Sequence, residues 1–163
     1  MASAFKIYRI VCATPPDLNA ERQVFESTLA DFAERVTFPE QILFAGASFR
    51  EGFDVARHRT LAESNVRMCD FFLHIFGETW PAPAFKDFIT LALECAADSS
   101  QPMRNAAVLF RNPADADEQV RRFRDELGLR GNCELREFKD SQELEAQLRE
   151  VFAGWHAAVK QNP

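Results

Sequence analysis

The hydrophobic pattern centres on residues 69–76, a run that is almost continuously apolar and stops at Gly77. Runs without polar alternation are typical of strands that are covered on both faces, as in parallel sheets. The run is far too short to cross a membrane as a helix. We therefore expect it to form the central strand of a parallel sheet.

Four other short apolar segments alternate with segments whose apolar residues recur at helical spacing. The predicted strands are 5–13, 41–47, 69–76, 105–110 and 133–138. The predicted helices are 17–36, 55–68, 84–98, 112–128 and 140–159. Asp17, Asn112 and Asp140 are the expected N-caps, and Gly128 is the expected end of the fourth helix.

This alternation predicts a single α/β domain over residues 1–163, with a doubly wound parallel sheet between two helical layers. The flavodoxin-like strand order 2-1-3-4-5 fits best, with the fifth, more polar strand at an edge. Its switch point would lie between the first and third strands. Loops 14–17 and 77–86 should then face each other across one crevice.

The composition restricts the kinds of partner that the protein is expected to bind. A net charge of -6 disfavours nucleic acid, whose binders normally carry a basic face. No segment resembles a signal peptide or a membrane span, so we expect a cytosolic protein without a membrane partner. The cysteines have no metal-ligand spacing and are expected to be buried, reduced thiols without a metal or cofactor. They are Cys12, Cys69, Cys95 and Cys133.

The loop sequences exclude several protein classes that share this architecture. The loop after the first strand reads Thr-Pro-Pro-Asp and has no glycine, whereas dinucleotide and flavin phosphate loops need flexible residues with free amides. The acidic strand ends of a phospho-accepting receiver domain are missing too. What remains is a crevice with carboxylates and an aromatic residue at its margin.

Five residues on these two loops are candidates for the site. Thr14 and Asp17 lie on the first loop, and Glu78, Thr79 and Trp80 lie on the second. Ligands of open parallel sheets bind at this carboxyl edge. Trp80 is either a stacking platform for a flat ligand or an anchor for its loop, and the sequence leaves both alternatives open.

Charged residues on two helices extend the candidate set. Glu21 and Arg22 lie on the sheet-facing side of the first helix, where charge is costly unless it is paired or overhangs the sheet edge. They are expected to couple with each other or with the first loop, either at the crevice or as a structural ion pair. Asp87, in the first turn of the third helix, could lean over the crevice or simply favour the positive helix end. His74, inside the central strand, is either a core residue or a base.

Residues 12–22 (CATPPDLNAER) resemble the Ser-Ser-Thr-x-x-Asp-Leu-x-x-Glu-Arg opening of a TIR-like bacterial family of unknown function. Residues 65–80 resemble the family's apolar strand that ends in a glycine, and residues 102–110 resemble its later strand. Members often precede STAND-type signalling NTPases. In this chain Cys12 and Ala13 stand where the family has serines.

The resemblance implies a TIR-like fold and a signalling or interaction module of unknown ligand, with a homo-oligomer or a separate signalling protein as its partner. Related folds include NAD-cleaving TIR domains and nucleoside deoxyribosyltransferases. The alternative is therefore an N-glycosidase acting on NAD or a nucleoside or nucleotide. Glu78 or Asp87 would then stabilise positive charge on the ribose, and Trp80 would stack on the base. A third alternative is a degenerate domain kept for oligomerisation.

Overall fold

The computed structural model describes residues 4–49, 57–81 and 83–163. Five parallel strands form one sheet in the order β2-β1-β3-β4-β5, as predicted. The strands are β1 (Lys6–Ala13), β2 (Ile42–Ser48), β3 (Phe71–Phe76), β4 (Asn105–Arg111) and β5 (Glu134–Phe138). Every residue of β3 is buried, which confirms its central place.

Within the described residues, five helices cover the sheet. They are α1 (Asn19–Phe32), α2 (Arg59–Met68), α3 (Pro83–Ala97), α4 (Glu118–Arg130) and α5 (Ser141–Gln161). α1 runs on through a π-helical turn, Ala33–Thr37, and a 3-10 turn, Phe38–Glu40. The first two residues of the predicted helix 55–68 lie outside the described residues.

The helices divide between the two faces and complete a three-layer, flavodoxin-like α/β fold. α1 and α5 pack on one face, and α2, α3 and α4 pack on the other. The predicted stripe of α5 is buried along its whole length. At its centre Trp155 is only 1% exposed and stacks on Phe71, with ring centroids 4.6 Å apart and planes 14° apart. Most of the largest fully buried side chains are aromatic.

Two of the three predicted N-caps are wrong. Asp17 lies in a 3-10 turn (Pro16–Leu18) that precedes α1, because the adjacent prolines start a tight turn and Leu18 is buried beneath it. Asn112 adopts the left-handed conformation with φ 43° and precedes a 3-10 turn, Pro113–Asp115. α4 begins only after this turn, at Glu118. Asp140 is the N-cap of α5, as predicted, and its Oδ1 accepts a hydrogen bond from the Glu143 amide at 2.9 Å.

The predicted end of the fourth helix is also wrong. α4 continues through Gly128 to Arg130, and the residue that ends it is Gly131, with φ 63°. A left-handed conformation directly after the last turn is the usual role of a C-terminal glycine. Gly128, inside the helix, carries only the modest entropic cost of a helical glycine.

Candidate functional site

The most connected polar group at the carboxyl edge of the sheet lies where β3 and β4 end. Arg111 donates from Nε (2.9 Å) and Nη2 (2.5 Å) to Oε2 of Glu78. Asn112 donates from Nδ2 to Oε1 of Glu78 at 2.9 Å. Both carboxylate oxygens of Glu78 therefore have a partner.

The same arginine also binds the first turn of α1. Its Nη1 donates to Oε1 of Glu21 at 2.5 Å, across 90 positions of sequence. The side chains are mostly shielded, with 13% of Glu21, 27% of Glu78 and 28% of Arg111 exposed. We call Glu21, Glu78, Arg111 and Asn112 the Arg111 cluster. Two carboxylates share one guanidinium, so the cluster keeps an excess of negative charge.

The electrostatics follow from this geometry. The hydrogen bonds from Arg111, aided by Asn112, lower the pKa of Glu78 to about 2. The carboxylates in turn raise the pKa of Arg111. Glu78 is therefore ionised at neutral pH and has no proton to donate as a general acid. Arg111 neutralises part of its charge.

Backbone contacts fix the two loops of the cluster. The Asn112 amide donates to the Phe138 carbonyl at 2.9 Å, and the Asp117 amide donates to the Glu78 carbonyl at 2.7 Å. Gly77 allows a close approach, because a Cβ there would lie 3.0 Å from Cδ2 of Leu18 and would require that side chain to shift slightly.

Arg22 lies outside the cluster, although it is the neighbour of Glu21. It bonds to Asn19 and, at 2.9 Å, to Oε1 of Glu26. The same Glu26 oxygen accepts from the Ser48 hydroxyl at 2.6 Å, at the end of β2. The first turn of α1 therefore sends Glu21 toward β4 and Arg22 toward β2, and the contacts in the described residues give no direct pair between the two.

The other first-loop candidates differ in exposure. Thr14 is 2% exposed, and its hydroxyl has no hydrogen-bond partner among the described residues. Asp17 is exposed, as is Thr79 on the loop after β3. Thr14 is thus the one of these three with an unsatisfied polar atom inside the protein, which is costly unless a ligand or water supplies a partner.

Trp80 packs as an anchor of its loop. Its ring lies 6.0 Å from the Phe76 ring and meets the Phe123 ring edge-on at 5.5 Å. The Lys86 ammonium lies 5.9 Å from the Trp80 ring centroid. These contacts cover much of the indole, which favours the anchor alternative over a platform for a base.

Asp87 lies apart from Glu78 in its contacts. Its Oδ2 accepts from Nη2 of Arg59 on α2 at 2.8 Å, and its side chain is 51% exposed. Asp87 and Trp80 line a cavity of about 370 Å³ between α3 and α4. The two candidate catalytic carboxylates therefore have different partners: Glu78 binds β4 and its following loop, and Asp87 binds α2.

His74 is a core residue. It is fully buried and stacks on Phe76, with ring centroids 4.2 Å apart. Burial lowers its pKa to about 3, although the backbone of Ile75 and Phe85 offsets part of this effect. Neither ring nitrogen makes a well-formed hydrogen bond within the described residues. His74 is consequently neutral at physiological pH.

Arg111 and Asn112 are the site residues that sequence reasoning missed. Both follow the predicted fourth strand, just as Gly77 and Glu78 follow the third. Adjacent parallel strands bring their carboxyl ends together. An arginine at one strand end and a glutamate at its neighbour's end was therefore a usable signal.

Among the described residues, no cluster of three or more acidic, histidine or cysteine side chains is arranged to hold a metal ion. No helix within those residues has the length and apolar character needed to span a membrane. Comparison of the chain with protein-family models gives no match, and comparison with curated proteins gives none either. The TIR-like resemblance remains a prediction.

Proposed function

We propose that the chain is a TIR-like signalling or interaction module whose recognition site is the Arg111 cluster. The observation that supports this best is that Glu78 binds Arg111 and Asn112 through both of its oxygens. A carboxylate that acts on a substrate needs an oxygen directed at it. A carboxylate already bound on both oxygens is better suited to holding loops in one arrangement.

The cluster also supports a mode of ligand recognition. Arg111 directs two N–H groups at one oxygen of Glu78, and the same two donors are suited to binding a phosphate. A nucleotide phosphate that competed for Arg111 would release Glu78 and, with it, the loop after β3. Binding of a small anion would thereby change the surface offered to a signalling partner.

The alternative is an N-glycosidase acting on NAD or a nucleoside or nucleotide. One observation favours it: the low pKa of Glu78 keeps a negative charge at the edge where ligands of such sheets bind. If a substrate displaced Arg111, that charge could stabilise an oxocarbenium-like ribose. Asp87 would be the second carboxylate to test.

The test combines thermal-shift and base-release measurements with NAD, AMP and deoxyadenosine. We expect at least one nucleotide to raise the melting temperature without release of its base. Arg111→Gln should abolish this increase, because the guanidinium that would bind the phosphate is lost, whereas Glu78→Gln removes only the carboxylate that competes for it. Glu94→Gln, an exposed substitution on α3, is the matched control and should preserve it.

Two outcomes contradict the proposal. Base release that is retained by Glu94→Gln and lost in Glu78→Gln or Asp87→Asn would establish the glycosidase alternative. An increase in melting temperature that survives Arg111→Gln unchanged would remove the Arg111 cluster from the recognition site.

A further inference from the structure

Asp117 occupies the N-cap position of α4 but does not cap that helix. Aspartate is favoured at N-caps because its side chain accepts a hydrogen bond from the second or third amide of the helix. Asp140 makes this bond at the start of α5, whereas within the described residues the Asp117 side chain makes none at the start of α4. A cap of this kind would serve the amides of Gln119 and Val120, which we call the first-turn amides.

The Asp117 carboxylate bonds instead to the loop that follows β3. Its Oδ2 accepts from the Trp80 amide at 3.4 Å, and the Asp117 amide donates to the Glu78 carbonyl at 2.7 Å. Asp117 therefore holds this loop at two points, one on each side of Thr79. The bond to Trp80 is longer than an ordinary N–H···O hydrogen bond. It is the contact that should break first when the loop moves.

The Arg111 cluster holds the same loop from the other side. Glu78 binds Arg111 and Asn112 with its side chain and Asp117 with its carbonyl, so it belongs to both sets of contacts. Only two planar peptide units separate Glu78 from Trp80. A displacement of Glu78 is therefore transmitted to the bond between Trp80 and Asp117.

We propose that Asp117 is a positioning residue with two alternative partners, the Trp80 amide and the first-turn amides of α4. While Arg111 holds Glu78, the loop keeps the Trp80 amide within reach of the Asp117 carboxylate. When a ligand displaces Glu78, the loop moves and the carboxylate turns to the first-turn amides. This exchange replaces one carboxylate–amide hydrogen bond with another, so a ligand that favours one arrangement can shift the population between them.

The surface that responds is the face between α3 and α4. Trp80 lines the cavity of about 370 Å³ between these helices, and its ring meets the Phe123 ring of α4 at 5.5 Å. The Lys86 ammonium lies 5.7 Å from the Phe123 ring and 5.9 Å from the Trp80 ring. Movement of the Trp80 backbone loosens this packing and exposes the indole. The inference rests on the proposed function for its ligand, and it names the surface that ligand binding changes.

The exchange can be tested without a ligand, because two substitutions release Glu78 from opposite sides. Arg111→Gln removes the donors on β4, and Glu78→Ala removes the carboxylate that they bind. NMR of each unliganded variant should show a shifted Trp80 amide. The first-turn amides should exchange with solvent more slowly than in the wild type, because Asp117 now caps α4.

Asp117→Ala separates this exchange from a general loosening of the loop. It should shift the Trp80 amide, because the bond to Oδ2 is lost, but it should not slow the exchange of the first-turn amides. Added to Arg111→Gln, it should abolish the slower exchange that Arg111→Gln causes alone. Asp115→Ala is the matched control, since Asp115 is an exposed aspartate in the 3-10 turn before α4 and should keep both signals close to those of the wild type.

Acrylamide quenching of tryptophan fluorescence reports on the face between α3 and α4. The chain has two tryptophans, and Trp155 is only 1% exposed, so the quencher reaches mainly Trp80. Quenching should increase in Arg111→Gln, and it should increase in the wild type when AMP is added. AMP that shifts no amide of the Arg111 cluster contradicts the proposed function, and the unliganded variants then decide this inference alone.

Three results overturn the inference. One is unchanged solvent exchange of the first-turn amides in both Arg111→Gln and Glu78→Ala. Another is slower exchange that persists when Asp117→Ala is added, because such protection would not come from the Asp117 carboxylate. The third is AMP that shifts the amides of the Arg111 cluster without any increase in quenching.

Discussion

Removal of the Glu78 charge should make the free energy of unfolding vary less with pH in the acidic range. In the folded chain Arg111 and Asn112 hydrogen-bond the ionised form of Glu78 and lower its pKa to about 2 from an ordinary 4.5. A lowered pKa stabilises the fold at pH values above the unfolded pKa. That contribution is lost as the pH falls from about 4.5 toward 2. Glu78→Gln removes the titrating group altogether.

The magnitude follows from the difference between the two pKa values. Two and a half pH units correspond to about 3.4 kcal/mol as an upper bound. Solvent screens a side chain that is 27% exposed, so we expect about 1–2 kcal/mol near pH 7. The amide keeps the size of the side chain and one acceptor for Arg111. The free energy of unfolding lost in Glu78→Gln therefore measures the effect of the charge rather than of packing.

Urea unfolding of the wild type and Glu78→Gln between about pH 7 and pH 3 measures the effect. The free-energy difference should be largest near neutral pH and should shrink steadily below about pH 4.5. Glu94→Gln, on the exposed face of α3, should show no such trend. A difference for Glu78→Gln that is absent, or that stays constant across this range, would refute the ion-pair account of the cluster.

Three further predictions concern packing, capping and coupling. Trp155→Ala should lower the free energy of unfolding by about 3–5 kcal/mol, because it leaves a cavity under α5; a loss below about 1 kcal/mol in denaturant melts would contradict its burial. Asp140→Ala should cost about 1 kcal/mol through the lost cap, read from the same melts, whereas Asp140→Asn should retain most of it. Double-mutant cycles should give an interaction energy above about 0.5 kcal/mol for Glu21 with Arg111 and a smaller one for Glu21 with Arg22; the reverse order would contradict the observed pairing.

The fold was predictable because several separate patterns along the chain indicate the same architecture. The apolar run 69–76 marks a strand buried on both faces, and the stripe of α5 repeats over about four turns. Alternation of such segments leaves few topologies. Helix ends were less predictable, since they depend on single residues. Asn112 satisfies the composition of a cap but adopts a left-handed turn, and Gly128 stays inside a helix that ends at Gly131.

The site was predictable only in part for a different reason. Glu21 and Glu78 were both candidates, and the structure brings them to one arginine. Periodicity places a residue on a face of its own element but does not show which distant side chain it reaches. Arg111 was missed for that reason, and Asp87 proves to bind Arg59 on α2.

The most direct test of the proposed recognition site is an amide chemical-shift map of the wild-type chain during titration with NAD or AMP. No variant is needed, so changes in stability do not complicate the result. Saturable shifts should concentrate at Glu21, at Gly77 to Thr79 and at Arg111 and Asn112, where the Arg111 cluster joins α1, β3 and β4. Shifts that leave these amides unchanged and concentrate elsewhere, or no saturable shift with either nucleotide, would contradict the account.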